Sequence, residues 1–395
     1  MNDSAPRLAF LSRMAYGDTA SDDAVQALQD LVGLKDTGQL EIGPNILPEL
    51  LPEVPAQLEH NCHALVCRPT WGGQVTEELV QRLRIPGERF AVATLSSGTS
   101  HISAEETEDT KIFYAREGNA EQTAELTIFL AICLLRRALA PMVNMGFGVY
   151  LRPESSRTRS LNGLNWLVVG PGTIGEAVLR KASAMGVGSV RAYYQRFAQM
   201  EENEIERKYG SLIELGVELT ADLDSALADV DVVTVHVPAN EDTIGMIDDA
   251  WFERLPEKAV LVNCARHEVV DADALVAALK ANKIRGYAAD VLPPRSERRG
   301  ANPHLPDVEL WRRACWSLIT SIERCTHGPS AFQDVTLAER FLANGRSAEQ
   351  SLEDELRSER NMVYTPHIGG STHDAELAVA TEVIEDLQNW LGITR

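Results

Sequence analysis

A short apolar run, Trp166–Val169, leads directly into Gly170-Pro171-Gly172-Thr173-Ile174-Gly175, and a helical pattern follows. Glycines at this spacing, between a strand and a helix, suit the binding of phosphates. Gly170 permits a tight turn, Gly172 lets backbone approach a pyrophosphate, and Gly175 lets the helix pack on the strand. The first helical turn, with Thr173 and Ile174, then offers free N–H groups and a positive dipole end. The pattern predicts a dinucleotide site; the plain alternative is a turn that uses glycine for geometry alone. About 20 residues on, NAD-binding sites of this kind carry an acidic side chain for the ribose 2′-hydroxyl. Here the second strand ends Tyr193-Tyr194-Gln195-Arg196, with an amide and a guanidinium at its tip. Arg196 can pair with a 2′-phosphate, so NADP, or use of both NADP and NAD, is expected; otherwise Arg196 points into water.

A second group of reactive side chains, His60, Cys62, His63 and Cys67, has no standard zinc spacing. Ala64–Cys67 reads instead as a buried strand, so no metal is expected. The six cysteines are scattered along the chain, which argues against a disulfide framework.

The elements that must position these groups alternate. Strand patterns fall at Leu8–Leu11, Ala64–Cys67, Phe90–Ala93, Ile112–Tyr114, Trp166–Val169, Val190–Tyr194, Val217–Leu219, Val232–His236, Val260–Asn263, Gly286–Val291 and Met362–Tyr364. Helical patterns lie between most of them, among them Asp22–Val32, Thr76–Leu83, Ala124–Leu139, Glu176–Met185 and Ala272–Ala281. Such alternation implies parallel sheets covered on both faces, an α/β protein. From Pro293 to Arg360 the alternation stops, and amphipathic stretches at Val308–Cys325 and near Leu337–Ala343 suggest an insertion with its own helices.

With 395 residues, two or three domains are expected. The 58 acidic and 37 basic side chains leave a net charge of −21, which disfavours nucleic acid or a membrane surface as partner. A small anionic substrate remains compatible, because a few arginines in a cleft outweigh the global field. Met1–Asp18 has no signal-peptide pattern, and the longest apolar stretch, Leu126–Leu135, is too short to span a bilayer. A cytoplasmic location is expected.

Several further motifs stand in order along residues 60–295 and 361–395. They are Asp231-Val232-Val233-Thr234-Val235-His236-Val237-Pro238, Leu261-Val262-Asn263-Cys264-Ala265-Arg266, Asp290-Val291 and Thr365-Pro366-His367-Ile368-Gly369-Gly370-Ser371-Thr372. Earlier come Ser97-Gly98-Thr99, Asn119 and Thr123-Ala124-Glu125. Together with the glycine motif they resemble the D-isomer-specific 2-hydroxyacid dehydrogenase family, and within it the phosphoglycerate dehydrogenases. The resemblance implies a two-lobed α/β fold. A Rossmann-type doubly wound parallel sheet at 121–365, with the insertion at about 296–360, would bind the dinucleotide. A smaller flavodoxin-like α/β substrate domain would comprise 1–120 and 366–395, including the helix Asp374–Trp390. A homodimer is expected, without the further C-terminal regulatory domain of some relatives.

The resemblance also assigns roles. His367 matches the acid/base histidine, and imidazole titrates near neutrality. Arg266 matches the arginine that clamps substrate, where a planar fork suits a carboxylate. Cys264, Ala265, Asp290, Gly369 and Gly370 fall among cofactor contacts, with Cys264 a small packing residue rather than a nucleophile. His236, at the end of its strand, is either a cofactor contact or structural. Asn119 matches a substrate-orienting position, and Arg68 a basic residue that meets the substrate's distal anion, with Trp71-Gly72-Gly73 beyond it.

Two departures stand out. The family's histidine-pairing glutamate falls on Arg295, with Glu297 two residues on. Either Glu297 serves in its place, the insertion supplies another carboxylate, or His367 works unpaired while Arg295 binds a second anionic group of the substrate. The glycine after the clamping arginine is His267. The expected function is hydride transfer between a nicotinamide cofactor and a small anionic 2-hydroxy or 2-oxo acid, with a phosphorylated or phosphonate-bearing substrate as one form. The alternatives are a formate- or phosphite-type dehydrogenase and a dinucleotide-sensing binding protein.

Overall fold

The computed structural model describes residues 7–11, 41–46, 59–67, 74–99, 101–146, 155–291 and 361–392. The expected helix Asp22–Val32, Arg68, Trp71–Gly73, Arg295, Glu297 and the insertion at 296–360 lie outside the described residues. The chain divides into two units: Met1–Gln122 with Gly370–Arg395, and Thr123–Gly369.

In the first unit, strands β1 (Arg7–Leu11), β2 (Glu41–Ile46), β3 (Ala64–Cys67), β4 (Phe90–Thr94) and β5 (Thr110–Tyr114) form a parallel sheet. Their order is β2-β1-β3-β4-β5, the flavodoxin-like doubly wound order. Every residue of β3 and β4 is buried, as a strand covered on both faces requires. The sequence patterns do not anticipate β2, which contains Gly43-Pro44. That pair stands opposite a single residue of β1, where the register slips between Leu8 and Phe10. Proline cannot donate to the ladder, so a bulge on an edge strand is where it is tolerated.

One face of this sheet is covered by the helix His373–Leu391, which sets Val379, Val383, Ile384 and Leu387 against Ala64, Val66, Ala91 and Ala93. Thr372 caps its start and Gly392, left-handed at φ 72°, ends it. From this helix the Glu382 carboxylate accepts hydrogen bonds from the backbone N–H groups of Arg116, Glu117 and Gly118, at 2.7, 3.2 and 3.0 Å. A Cβ on Gly118 would lie 2.6 Å from the Val379 nitrogen. The turn that presents Asn119 is therefore pressed against the helix.

The second unit contains β6 (Asn165–Val169), β7 (Ser189–Tyr193), β8 (Glu218–Thr220), β9 (Val232–Val235), β10 (Val260–Asn263), β11 (Gly286–Ala289) and β12 (Met362–Tyr364). They form a parallel sheet in the order β12-β11-β10-β9-β6-β7-β8. Counted from β6 this is the Rossmann order with one strand added, and its crevice opens where β6 meets β9. Strand alternation splits the interior into two cores. Trp166, Val168, Val232 and Val262 face the helices Ala120–Arg136 and Thr173–Ala184. Leu167, Val169, Val233 and Leu261 face Asp249–Arg254 and Ala272–Lys280. The helix expected at Ala124–Leu139 begins at Ala120 and stops at Arg136, because Arg137 turns left-handed at φ 50° before a separate helix, Leu139–Gly146.

At the amino edge of the sheet, the buried carboxylate of Asp231 is well matched. It accepts from the Asn165 N–H at 2.9 Å and pairs with Arg159 at 3.1 Å and Lys258 at 3.3 Å. The chemistry-bearing motifs gather at the opposite, carboxyl edge.

Candidate active site

The glycine loop begins where β6 ends. Gly170 is left-handed at φ 88°, and a Cβ there would meet the Val237 side chain at 2.6 Å and the His236 carbonyl at 3.0 Å. A Cβ on Gly175 would lie 2.1 Å from the Gly170 carbonyl oxygen. At Gly172 nothing stands within 4 Å, so this position opens outward and leaves room for an approaching phosphate. No side chain caps the start of Thr173–Ala184. Those N–H groups are left for an anion.

His236 follows β9, directly across the switch point from this loop. Both ring nitrogens are buried, and neither has a hydrogen-bond partner among the described residues. Burial pushes the imidazole pKa down to about 3, so the ring is neutral at working pH and carries one N–H and one acceptor. An orphaned buried imidazole beside an open glycine cradle fits a dinucleotide laid across the switch point, because a ligand would satisfy what the protein does not.

Gln195 and Arg196 lie in an exposed single turn, Gln195–Gln199, after β7. The Arg196 side chain makes no ion pair among the described residues. Burial raises the Tyr193 pKa, and the charge of Asp222, after β8, adds to the rise. Asp222 is occupied as a helix cap, accepting from Asp224, Ser225 and the Ser225 hydroxyl.

The turn after β10 is held by Asn263, which is fully buried. Its side chain accepts from the Ala265 N–H at 3.0 Å and donates to the Arg266 carbonyl at 2.9 Å. Arg266 is thereby fixed in extended backbone, half-buried, with one Nη bonded to the Ala265 carbonyl at 2.8 Å. His267 is not in the left-handed region, so the position occupied by glycine in the family accepts a histidine here without strain. His267 pairs with Glu268 at 3.5 Å.

Cys264, next to this turn, is buried, and desolvation raises its pKa to about 12. It stays a thiol and packs; it cannot attack as a thiolate.

Asp290, one residue past β11, organises the remainder. Its own N–H donates to the Asn263 carbonyl at 3.1 Å. Its buried carboxylate accepts from the Thr365 hydroxyl at 2.6 Å and from the Ile368 and Gly369 N–H groups, both at 2.8 Å. These three donors bracket His367, which is exposed and held left-handed at φ 61°. Histidine tolerates that region better than most residues, and strain of this kind persists only where its surroundings impose it. A Cβ on Gly369 would lie 2.9 Å from the Asp290 carboxylate, so the loop has no slack. Asp290 thus ties the Arg266 turn and the His367 loop into one piece. Sequence reading treats Asp290 only as a cofactor neighbour and gives Asn263 and Thr365 no role; nothing in local pattern reveals that they are mutually bonded.

In the other unit, the Asn119 amide donates to the Ser97 hydroxyl at 3.0 Å, and a Cβ on Gly370 would lie 2.6 Å from that amide. Among the described residues no helix is long and apolar enough to cross a membrane, and no cluster of three or more His, Cys, Asp or Glu is arranged for a metal.

Residues 128–321 match the family model described as D-isomer specific 2-hydroxyacid dehydrogenase, NAD binding domain. The matched stretch is a little under half of the chain and lies within the second unit. That stretch includes β6 to β11 and the glycine loop Gly170–Gly175. Among curated relatives, D-3-phosphoglycerate dehydrogenase 2 of Saccharomyces cerevisiae is 25% identical over 361 residues, covering 91% of this chain and 63% of the yeast protein. The D-3-phosphoglycerate dehydrogenase of Archaeoglobus fulgidus is 28% identical over 272 residues, covering 69% and 39%. The chain therefore spans less than two thirds of these relatives' length. Similar solved folds include a glyoxylate reductase from Paecilomyes thermophila, with TM-score 0.65, 18% identity and 98% and 95% coverage. D-lactate dehydrogenase from Aquifex aeolicus, solved with NAD and lactic acid, has TM-score 0.62, 21% identity and 98% and 95% coverage.

Proposed function

We propose that the protein is an NAD(P)-dependent oxidoreductase acting at the C2 hydroxyl or carbonyl of a small anionic 2-hydroxy or 2-oxo acid. The observation that carries this reading is the single assembly at the carboxyl edge of β10, β11 and β12. There the turn carrying the half-buried Arg266 and the strained loop of the exposed His367 share Asp290 as their support. A nicotinamide ring, when bound, supplies or accepts the hydride. Arg266 holds the substrate's carboxylate and the oxygen on C2 through its fork. His367 takes the hydroxyl proton in oxidation and returns it in reduction. Gly172 and the first turn of Thr173–Ala184 receive the pyrophosphate, His236 borders it, and Ala265, Cys264, Gly369 and Gly370 line the approach.

Substrate contacts are proposed for Asn119 and Arg68, and for Arg295 if the substrate carries a second anion, as a phosphorylated acid does. Either Glu297 supports His367, or His367 works without a carboxylate partner. NADP is favoured over NAD because Arg196 is exposed at the β7 tip while Asp222 is spent on its own helix cap.

The test is oxidation of NADPH and NADH against a panel of 2-oxo acids, with full-chain protein and its His367→Asn variant. Turnover on at least one acid is expected, falling about 10²- to 10⁴-fold in the variant with dinucleotide affinity retained. Tight dinucleotide binding without turnover on any acid would overturn the enzyme reading in favour of a dinucleotide sensor. A higher kcat/KM with NADH would overturn the NADP preference.

A further inference from the structure

The nicotinamide domain has a second concave site, at the amino ends of its strands, away from the phosphate loop. This cavity, of about 360 Å³, is bordered by Arg137, Arg157, Arg285 and Glu257, with the amides of Asn282 and Asn361. Leu279 and Ile284 supply an apolar wall. Its volume falls in the range that encloses a small metabolite. The helices ending at Arg136 and Lys280 bring carbonyl ends nearby, worth about half a negative charge each. Cationic side chains line the cavity, in a chain whose net charge is −21.

Arg285 decides what the charge is for. It immediately precedes β11, and its backbone N–H is bonded to the Ala259 carbonyl at 2.8 Å. Its Nη1 is buried and has no hydrogen-bond partner among the described residues. A few residues away, at the same edge, Asp231 gathers Arg159 and Lys258, so charges at this edge are normally matched internally. A buried, charged donor without an acceptor is costly, and such a group calls for a partner from outside. The site is also rigid. Asn361, just before β12, anchors its amide to the Leu134 carbonyl at 2.7 Å, and a Cβ on Gly286 would lie 2.6 Å from that amide. Planar forks on fixed backbone suit phosphate or carboxylate oxygens.

We propose that this cavity is a second binding site, distinct from the dinucleotide site, for a small phosphate- or carboxylate-bearing metabolite, with Arg285 as its central ligand.

The test is calorimetric titration of the full chain with inorganic phosphate, and in a separate arm with citrate, in a buffer free of both. Binding of one or both is expected in the parent. Arg285→Gln and Arg157→Gln should each weaken it by about tenfold or more, with NADPH affinity unchanged. In anion-free buffer Arg285→Gln should melt no lower than the parent, and only the parent should gain melting temperature with the bound anion. The arm that responds identifies the anion class. Equal anion affinity in the parent and both variants would place any binding at the phosphate loop and overturn the proposal, as would no binding in either arm. Should Arg285→Gln fail to fold, Arg157→Gln, at an exposed side chain, gives the same decision.

Discussion

The glycine loop after β6 and the His367 loop after β12 stand at the same edge of one sheet, yet different materials hold them in shape. The first is set by backbone: a left-handed Gly170 and a Gly175 whose Cα faces the Gly170 carbonyl. Its geometry needs only the absence of side chains. The second is set by one remote carboxylate, Asp290, accepting from three donors around His367. A backbone-built site fails when an atom is added; a carboxylate-built site fails when a charge is removed. The two should therefore break separately, one losing cofactor and the other losing turnover.

The largest effect is expected at Gly175→Ala. Its Cβ would sit 2.1 Å from the Gly170 oxygen, a clash with backbone that cannot rotate away. Stability should fall by about 1–3 kcal/mol or more, and dinucleotide affinity by about a hundredfold, read by fluorescence titration and denaturant unfolding. Affinity within a factor of two of the parent would show that the loop is not backbone-built in this sense.

Asp290→Asn comes next. The amide keeps one oxygen for the Thr365 and Ile368 donors, but it turns an NH₂ toward the Gly369 N–H or loses that contact. Charge-assisted hydrogen bonds are each worth about 1.5–3 kcal/mol. Loss of one should lower kcat about ten- to a hundredfold while the dissociation constant for NADPH moves little. If affinity and kcat fell together, the proposed separation of the two loops would be wrong.

The smallest effect near neutral pH is a pH dependence at His236, which grows only on acidification. Its folded pKa lies near 3 and its unfolded value near 6.5, so below about pH 6.5 the unfolded chain binds the extra proton. Its contribution to stability is therefore whole above about pH 6.5 and lost progressively as pH falls toward 3. His236→Gln should flatten that acid limb in a series of thermal melts. An unchanged limb would mean that the ring is hydrated in the folded protein.

Much of the frame was legible in the chain itself. The strands at Ala64–Cys67, Val260–Asn263 and Met362–Tyr364 fall where their apolar runs place them, because a strand buried on both faces is written as a continuous apolar segment. Strand Glu41–Ile46 was not legible, since Gly43-Pro44 disguises an edge strand as a turn. The stop at Arg136 was hidden too, because the apolar periodicity runs on through Leu139 while the backbone reverses at Arg137. At the site, the pattern Thr365–Thr372 marks His367, but it says nothing of the bond from Ile368 to Asp290, 78 positions away in sequence.

Sequence alone determined the strand–glycine–helix unit, the alternation of elements and the types of side chain available for proton and carboxylate chemistry. These depend on local sterics and on periodicities of a few residues, which order along the chain records directly. Only the tertiary structure decided that Asp290 braces two distant loops, and that Arg285 has no counterion among the described residues while Arg159 and Lys258 share one. Pairing of buried polar groups follows from which strands lie side by side, and that order is set by the packing of the whole sheet.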